Sequence, residues 1–434
     1  PEMDDIGGGS ILLILNVPEG SLIGINLLSF TTTPRFHGIK HLPPGFHFVF
    51  TSVSNTQSIR QGVWVEVPRS GSRAISQYGP HIILKKWDPT TESLVDETSD
   101  SERLRHRANL GAIWREGLVP YLQSADTADE EAQEQGKEEW AQMTTHVSAR
   151  LLDRVLGERT WALNSASTAP TDAEKIPGIS AEEHQEKELG FLVVDLRRTW
   201  KEDATGRERT EAARDRSWAL GEAVEKHCWG SWDEVVGEME VAFLMVMTLN
   251  NYSCLEQWKR LLELAMTSKA AVKDHPGFFV DVMEMLRLQL EKSRNVEGGG
   301  LFDLSDDGAP FLKDLLKKFR RGLDDLDGKA KADVLDELDE LEHYLKEVHK
   351  WEIDAPFLRT GILELEDGET VEMDAMGRDD EDEEGEYAPQ IVELTAEQAN
   401  ALGHDHQAKK SEDELALAEE EEEEQDLEEM DARF

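Results

Sequence analysis

Cysteine is scarce, and basic residues are heavily outnumbered by acidic ones. The 434 residues hold only Cys228 and Cys254, both in apolar, helix-like surroundings. No disulfide framework is available, and the two thiols read as buried groups of a reducing compartment, cytosolic or nuclear. Lys and Arg number 46 against 91 Asp and Glu, a formal charge of −45, which excludes a general nucleic-acid or anionic-membrane surface, because phosphate binding needs clustered cations. A chain of this charge that serves an RNA machine does so through protein contacts. No apolar run reaches the ~20 residues that span a bilayer, and Pro1-Glu2-Met3-Asp4-Asp5 lacks the basic start of a signal peptide, so neither a transmembrane helix nor a leader is expected. Catalytic signatures are missing too. Gly7-Gly8-Gly9-Ser10 precedes a strand-like run without the Lys-Ser/Thr of a phosphate loop, and no Gly-x-Ser-x-Gly elbow, His-Glu-x-x-His helix or Cys-centred nucleophile motif occurs. Neither an enzyme nor a cofactor is expected.

What is present divides the chain by pattern. With 39% apolar residues and 11 Trp, one or two sizeable cores can be buried. After a flexible lead-in over 1–10, short β-like runs at 11–17, 22–28, 46–53, 63–67 and 82–87 alternate with turns and predict an antiparallel, β-rich domain over 11–160, a sheet or sandwich. Helical spacing over 104–121 and 140–156, the latter with Val147, Leu151, Leu152 and Val155 on one face, closes that domain. Residues 161–188 lack periodicity and read as a disordered linker. From 189 to 352 the pattern is all-helical. Val235, Val236, Met239, Ala242, Phe243, Val246 and Met247 form one wide apolar stripe, and Leu255, Trp258, Leu261, Leu262 and Ala265 another. Further helices follow at 278–290, at 311–326 after Asp307-Gly308-Ala309-Pro310, and through Val334, Leu338, Leu341, Leu345 and Val348. The architecture is therefore α+β, followed by an acidic tail over 353–434. In that tail 378–386 is almost all Asp and Glu and 419–424 is polyglutamate, neither able to offset its ordering entropy. One strand-length island interrupts it, Tyr387-Ala388-Pro389-Gln390-Ile391-Val392-Glu393-Leu394, suited to adding itself to another protein's sheet edge.

The densest motif is Pro34-Arg35-Phe36-His37-Gly38-Ile39-Lys40-His41-Leu42-Pro43-Pro44-Gly45-Phe46-His47-Phe48. Its two turn signals frame aromatic residues and no nucleophile, so it reads as a binding scaffold, with Pro43-Pro44-Gly45 as a tight turn before a strand. His37, His41 and His47 invite a metal reading, but their spacing gives no ligand frame and neither cysteine is near, so the expectation is partly buried, hydrogen-bonded histidines and no metal. In Trp258-Lys259-Arg260 the indole packs inward while Lys and Arg snorkel outward.

These residues resemble the Aar-two family of splicing factors, assembly chaperones of the U5 small nuclear ribonucleoprotein. Three blocks carry the resemblance. The first runs from Leu13-Ile14-Leu15-Asn16-Val17-Pro18-Glu19-Gly20 and Gly24-Ile25-Asn26 into the Pro34 motif, with Pro18, Gly20, Gly24, Pro34, Phe36, Gly38, Lys40, Pro43, Pro44, Gly45, His47 and Phe48 as its structural positions. The second joins Ser217-Trp218-Ala219-Leu220, Val235-Val236-Gly237-Glu238-Met239 and Ala242-Phe243 to Glu256-Gln257-Trp258-Lys259-Arg260-Leu261-Leu262. The third is Trp351-Glu352 with Ala388-Pro389-Gln390-Ile391-Val392-Glu393-Leu394. The resemblance implies a β-rich domain joined to a helical domain similar to the VHS superhelix, no catalysis, and residence in both cytoplasm and nucleus. It further implies binding to the large scaffold protein of the U5 particle through that protein's RNase H-like and MPN-type domains, with the tail inserted as a strand between them. The U5 RNA helicase would be kept off until phosphorylation releases the chaperone, and little direct contact with nucleic acid or membrane is implied. Longer acidic inserts, notably 358–386 and the end beyond 394, depart from the family pattern. The competing readings are an acidic histone or nucleic-acid-mimic chaperone working through the polyglutamate run, and a trafficking adaptor for acidic-dileucine peptides, which needs a basic groove that the sequence does not display.

Overall fold

The computed structural model describes residues 10–53, 59–69, 81–121, 130–158, 160–175, 188–293, 308–326, 328–351, 353, 359–364 and 370–375. The chain forms two units, Pro1–Asp354 and Ala355–Phe434.

In the first unit the sandwich grows around β1 (Ser10–Leu15), whose unbroken SILLIL run is buried along its whole length. A strand apolar at every position needs cover on both faces, and β1 has it. Ile11, Leu13 and Leu15 face a core with Trp114 and Leu118, while Leu12 and Ile14 face the second sheet through Ile23, Ile25, Val49, Val63 and Val65. The flanking strands are β2 (Leu22–Ile25), β3 (Leu28–Thr31), β4 (Gly38–Leu42), β5 (Gly45–Ser52), β6 (Gln61–Val67), β7 (Ile82–Asp88) and β8 (Ser93–Asp96), with short β9 (Leu118–Pro120) and β10 (Ala162–Asn164) at edges. One sheet has the order β8-β7-β1-β4-β9 and the other β10-β6-β5-β2-β3. The antiparallel expectation holds only for the second. In the first, β7 runs parallel to β1 and β9 parallel to β4, because the chain crosses between sheets after β1, β3, β4 and β6 and returns to β1's edge from the far side. β5 alternates in the same way as β1. Val49 faces the sandwich interior, whereas Phe48 and Phe50 join Trp64 on the outer face and pack with the helices.

Both helices expected to close this domain are broken. The first is α1 (Asp100–Ala108) and α2 (Leu110–Glu116), meeting at Asn109, and its last residues are β9. The second is α3 (Glu130–Gln142) and α4 (Ala149–Leu156). Thr144 and Thr145 turn their hydroxyls back onto Trp140 O and Gln142 O, at 2.9 and 2.8 Å, just past the end of α3, and Ser148 caps α4 by accepting from Leu151 N at 3.1 Å. Residues 161–175 are not an unstructured linker. β10 pairs with β6, Pro170–Lys175 is a 3-10 helix, and Asn164, Ser167, Thr168 and Asp172 are buried.

The helical array comprises α5 (Gly206–Arg214), α6 (Ser217–His227), α7 (Asp233–Leu249), α8 (Tyr252–Met266), the single turn α9 (Ala271–Asp274), α10 (Pro276–Ser293), α11 (Gly308–Asp324) and α12 (Ala332–His349). α7 is the axis and carries no stripe: nearly every residue is buried, including Glu234, Glu238 and Glu240. It packs against α4, α8 and α10. Val334, Leu338, Leu341 and Leu345 seat α12 against α10 as a last packing helix.

The second unit holds a hairpin that the acidic composition concealed. β11 (Arg359–Glu364) pairs antiparallel with β12 (Thr370–Ala375), from Arg359↔Ala375 to Glu364↔Thr370. Asp367-Gly368 between them is a hairpin signal in the sequence. The expected strand at 387–394 and the glutamate run lie outside the described residues.

Candidate functional site

The Pro34 motif folds into the corner where the two sheets meet. β4 belongs to one sheet and β5 to the other, so Pro43-Pro44 is a sheet-to-sheet corner rather than a hairpin turn, and Gly45 follows at φ +130°. His47, 1% exposed, locks that corner. Its Nε2–H donates to Pro43 O at 2.8 Å and its Nδ1 accepts from Asn26 Nδ2 at 3.0 Å. Asn26 Nδ2 also donates to the Tyr121 hydroxyl at 2.5 Å, and Asn26 Oδ1 accepts from Phe48 N at 3.0 Å. These partners fix a neutral imidazole. Burial pushes its pKa down to about 4 against the opposing Pro43 carbonyl, and burial pushes the Tyr121 hydroxyl up to about 12.

The other motif positions brace the same frame. Gly38 lies beside β1 so closely that a Cβ would stand 2.0 Å from Leu12 O. Lys40 donates to Trp114 O at 3.3 Å and sits 4.8 Å over the Trp114 ring, tying β4 to α2. Phe36 packs edge-on to Phe30 at 5.4 Å. Pro18 O accepts from the Thr32 hydroxyl at 3.0 Å, Gly20 donates to Thr32 O at 3.2 Å, and Gly24 lies under the Phe50 ring. Pro34 and Pro44 are exposed at the turns. The three histidines of the motif go to separate partners: His37 to Arg35 O at 2.7 Å, His41 to the Trp114 ring at 5.2 Å, and His47 to Asn26 and Pro43.

Around α7 the structure assembles polar groups that periodicity could not reveal. Glu234 takes Ser148 Oγ at 3.1 Å and Arg150 Nε at 2.9 Å. Glu238, with no exposed surface, takes Arg154 Nη1 at 2.5 Å, Leu192 N at 3.0 Å and Gln257 Nε2 at 2.8 Å. Burial raises its pKa and Arg154 opposes the rise. Glu240 accepts from His146 N and from His146 Nδ1, both at 2.9 Å, and that bond raises the imidazole pKa. These carboxylates moor α4 and the 143–148 connection to the helical array. Their spacing, with Arg150 and Arg154 one turn apart, is legible only once α4 and α7 are known to touch.

Trp258 is inward as expected, its Nε1 donating to Gln289 Oε1 at 2.8 Å. Lys259 is partly exposed beside Glu256 at 3.8 Å. Arg260 does not snorkel outward. Its guanidinium closes on Asp172, which also accepts from Ser253 Oγ at 2.9 Å. Trp218 of the second sequence block lines an open cleft of about 610 Å³ with Val194, Trp200, Lys201 and Lys226.

Among the described residues, the motif side chains build a frame in which the polar groups of Lys40 and His47 are taken up by neighbouring segments of the chain. The comparisons agree with the first two sequence blocks and with Trp351-Glu352 of the third. The AAR2 N-terminal domain matches residues 8–157, and the AAR2 C-terminal repeat region matches residues 191–354. The chain belongs to the AAR2 family. The first match ends with α4 and the second begins before α5, so the family's two parts bracket the buried 161–175 segment. Among similar proteins, the protein AAR2 homolog of Homo sapiens is 26% identical over 308 residues, covering 65% of this chain and 75% of its own. Those of Mus musculus and Caenorhabditis elegans are each 24% identical, covering 65% of this chain and 75% and 79% of their own.

Proposed function

We propose that this AAR2-family chain is a non-catalytic assembly chaperone in pre-mRNA splicing. It binds the large scaffold protein of the U5 particle and holds off the U5 RNA helicase until assembly is complete, working in both cytoplasm and nucleus. The observation that carries the reading is the match of both family parts, in order, over 8–157 and 191–354; membership supports a splicing-related, non-enzymatic role. The rigid joining of sandwich and helices supports a broad docking surface. The residues proposed to engage the partner are Ala388, Pro389, Gln390, Ile391, Val392, Glu393 and Leu394. A strand of ~5–6 residues satisfies backbone groups on a partner's sheet edge, while ordering it costs on the order of 2–5 kcal/mol, which keeps tight binding reversible.

The test is a pull-down from nuclear and cytoplasmic extract with the full chain and with a form ending at Glu386. Recovery of the spliceosomal scaffold without the helicase, weakened by truncation, is expected. Recovery of histones, lost on removing 419–424 and indifferent to Ile391, would instead favour an acidic histone chaperone, the reading that the charge of −45 supports.

A further inference from the structure

Where the 143–148 connection meets the start of α7 and the outer side of α10, His146, Asp233 and Asp281 converge. One ligand atom from each lies within 4.8 Å of the other two. His146 is the only basic partner among them, with Nε2 at 3.7 Å from Asp281 Oδ2. The arrangement differs from an ordinary acidic surface cluster in how the histidine is held. Its Nδ1–H donates at 2.9 Å to Glu240, a carboxylate only 2% exposed and fixed in turn by the His146 backbone N–H. That bond sets the tautomer and ring plane and turns Nε2 toward the two aspartates, the carboxylate–histidine pairing by which metal-ligating histidines are oriented.

We propose that His146 Nε2, Asp233 and Asp281 form a binding site for a first-row divalent ion of the zinc or cobalt class. The donor set of one imidazole and two carboxylates, with a position left for water, suits such an ion, whereas magnesium and calcium prefer oxygen alone. Bonds of about 2.0–2.1 Å would draw the three donors to roughly 3.3 Å apart, a small rotation for exposed Asp233 and half-buried Asp281. The exposure of Asp233 also supplies the entry path. An excess of negative charge favours occupancy. Two carboxylates outweigh the positive end of the α7 dipole, worth about half a charge. A bound ion would pin the 143–148 connection to α7 and α10 together.

The test titrates Co²⁺ into the full chain with Mg²⁺ in large excess to occupy the acidic segments, reads visible absorption, and then displaces Co²⁺ with Zn²⁺. One ion per chain is expected, with the intense bands of a histidine-bound, low-coordinate ion. Asp233→Asn and Asp281→Asn should each weaken binding at least tenfold, while Asp314→Asn on α11 leaves it unchanged. Histidine-ring NMR of the unaltered chain gives a readout independent of any variant: Zn²⁺ should shift one imidazole of the 13. Only the weak absorption of carboxylate-bound Co²⁺, no ring shift, or variants that bind like the parent would overturn the site.

Discussion

Arg260 of α8 places both terminal nitrogens on the carboxylate of Asp172, a side chain with no exposed surface in a stretch that the sequence presents as a linker. Ser253 Oγ donates to the same carboxylate at 2.9 Å, and Ala169 N donates to Ser253 Oγ at 2.9 Å. Asn251, the cap of α8, donates to Asn164 O and Ser167 O at 2.9 and 2.8 Å. A polar seam therefore joins the end of the sandwich to the helical array.

Asp172→Ala leaves the half-buried Arg260 guanidinium without its anion. Removing one member of a buried pair costs about 3–5 kcal/mol, and a loss of that size is expected in urea unfolding of the full chain. Arg207→Ala on α5 breaks the exposed pair with Glu211 at 3.0 Å and should leave the midpoint where it is. Equal effects from the two variants would show that the seam has no special weight.

The difference between that seam and the rest of the fold explains what could be read in advance. β1, β5 and β6 were legible because their apolar residues face two cores in alternation, and α8 and α12 because their buried positions repeat at three and four. Residues 161–175 were not, since they are held by side-chain-to-backbone bonds from Ser165, Asn251 and Ser253, and such bonds leave no period. α7 hid its nature differently: its apolar residues read as one wide stripe, whereas as the axis it is buried on all sides, Glu234, Glu238 and Glu240 included. The frame positions Gly38, Lys40 and His47 stand out in the sequence as motif residues, but what they touch depends on partners about 20 or more residues away, Leu12, Trp114 and Asn26, that only the fold brings together.

Gly237 tests the close approach of the 143–148 connection to α7. Alanine in a helix interior gains about 1 kcal/mol over glycine. Here, though, its Cβ would stand 2.4 Å from His146 O and 2.8 Å from a Leu151 methyl, and overpacking of that kind costs about 1–3 kcal/mol. Gly237→Ala is therefore expected to lower the melting temperature, whereas Gly221→Ala on α6, whose Cβ meets nothing within 4 Å, should raise it. The opposite signs are the check, and a gain at both positions would refute the contact.

His47 makes stability depend on pH. Its folded pKa of about 4 lies below the 6.5 of an ordinary histidine, so between those values the unfolded chain binds a proton that the folded chain does not. Stability is whole above about pH 6.5, falls as the pH drops toward 4, and levels off below, for a total on the order of 3 kcal/mol at 1.36 kcal/mol per unit. Unfolding free energies measured from pH 7.5 to 4.5 should show this slope in the parent. His47→Gln, which keeps a donor for Pro43 O, should reduce the slope by about one proton's worth, and parallel curves would place the dependence elsewhere.

Ile391→Asp separates binding from folding. If the 388–394 segment enters the scaffold as a strand, Ile391 buries its side chain there, and losing a buried Ile is worth about 1.5–3 kcal/mol before the cost of desolvating a carboxylate is added. Scaffold affinity measured by titration should fall by at least ~10-fold on the scale of 1.4 kcal/mol per decade, with urea stability unaltered. Asp172→Ala should do the reverse, lowering stability while the folded fraction binds as before. Only an interaction carried by the tail gives that crossed pattern, since a partner reading the folded unit would respond to neither Ile391 nor the length of the acidic end. Unchanged affinity with Ile391→Asp would remove the strand from the mechanism.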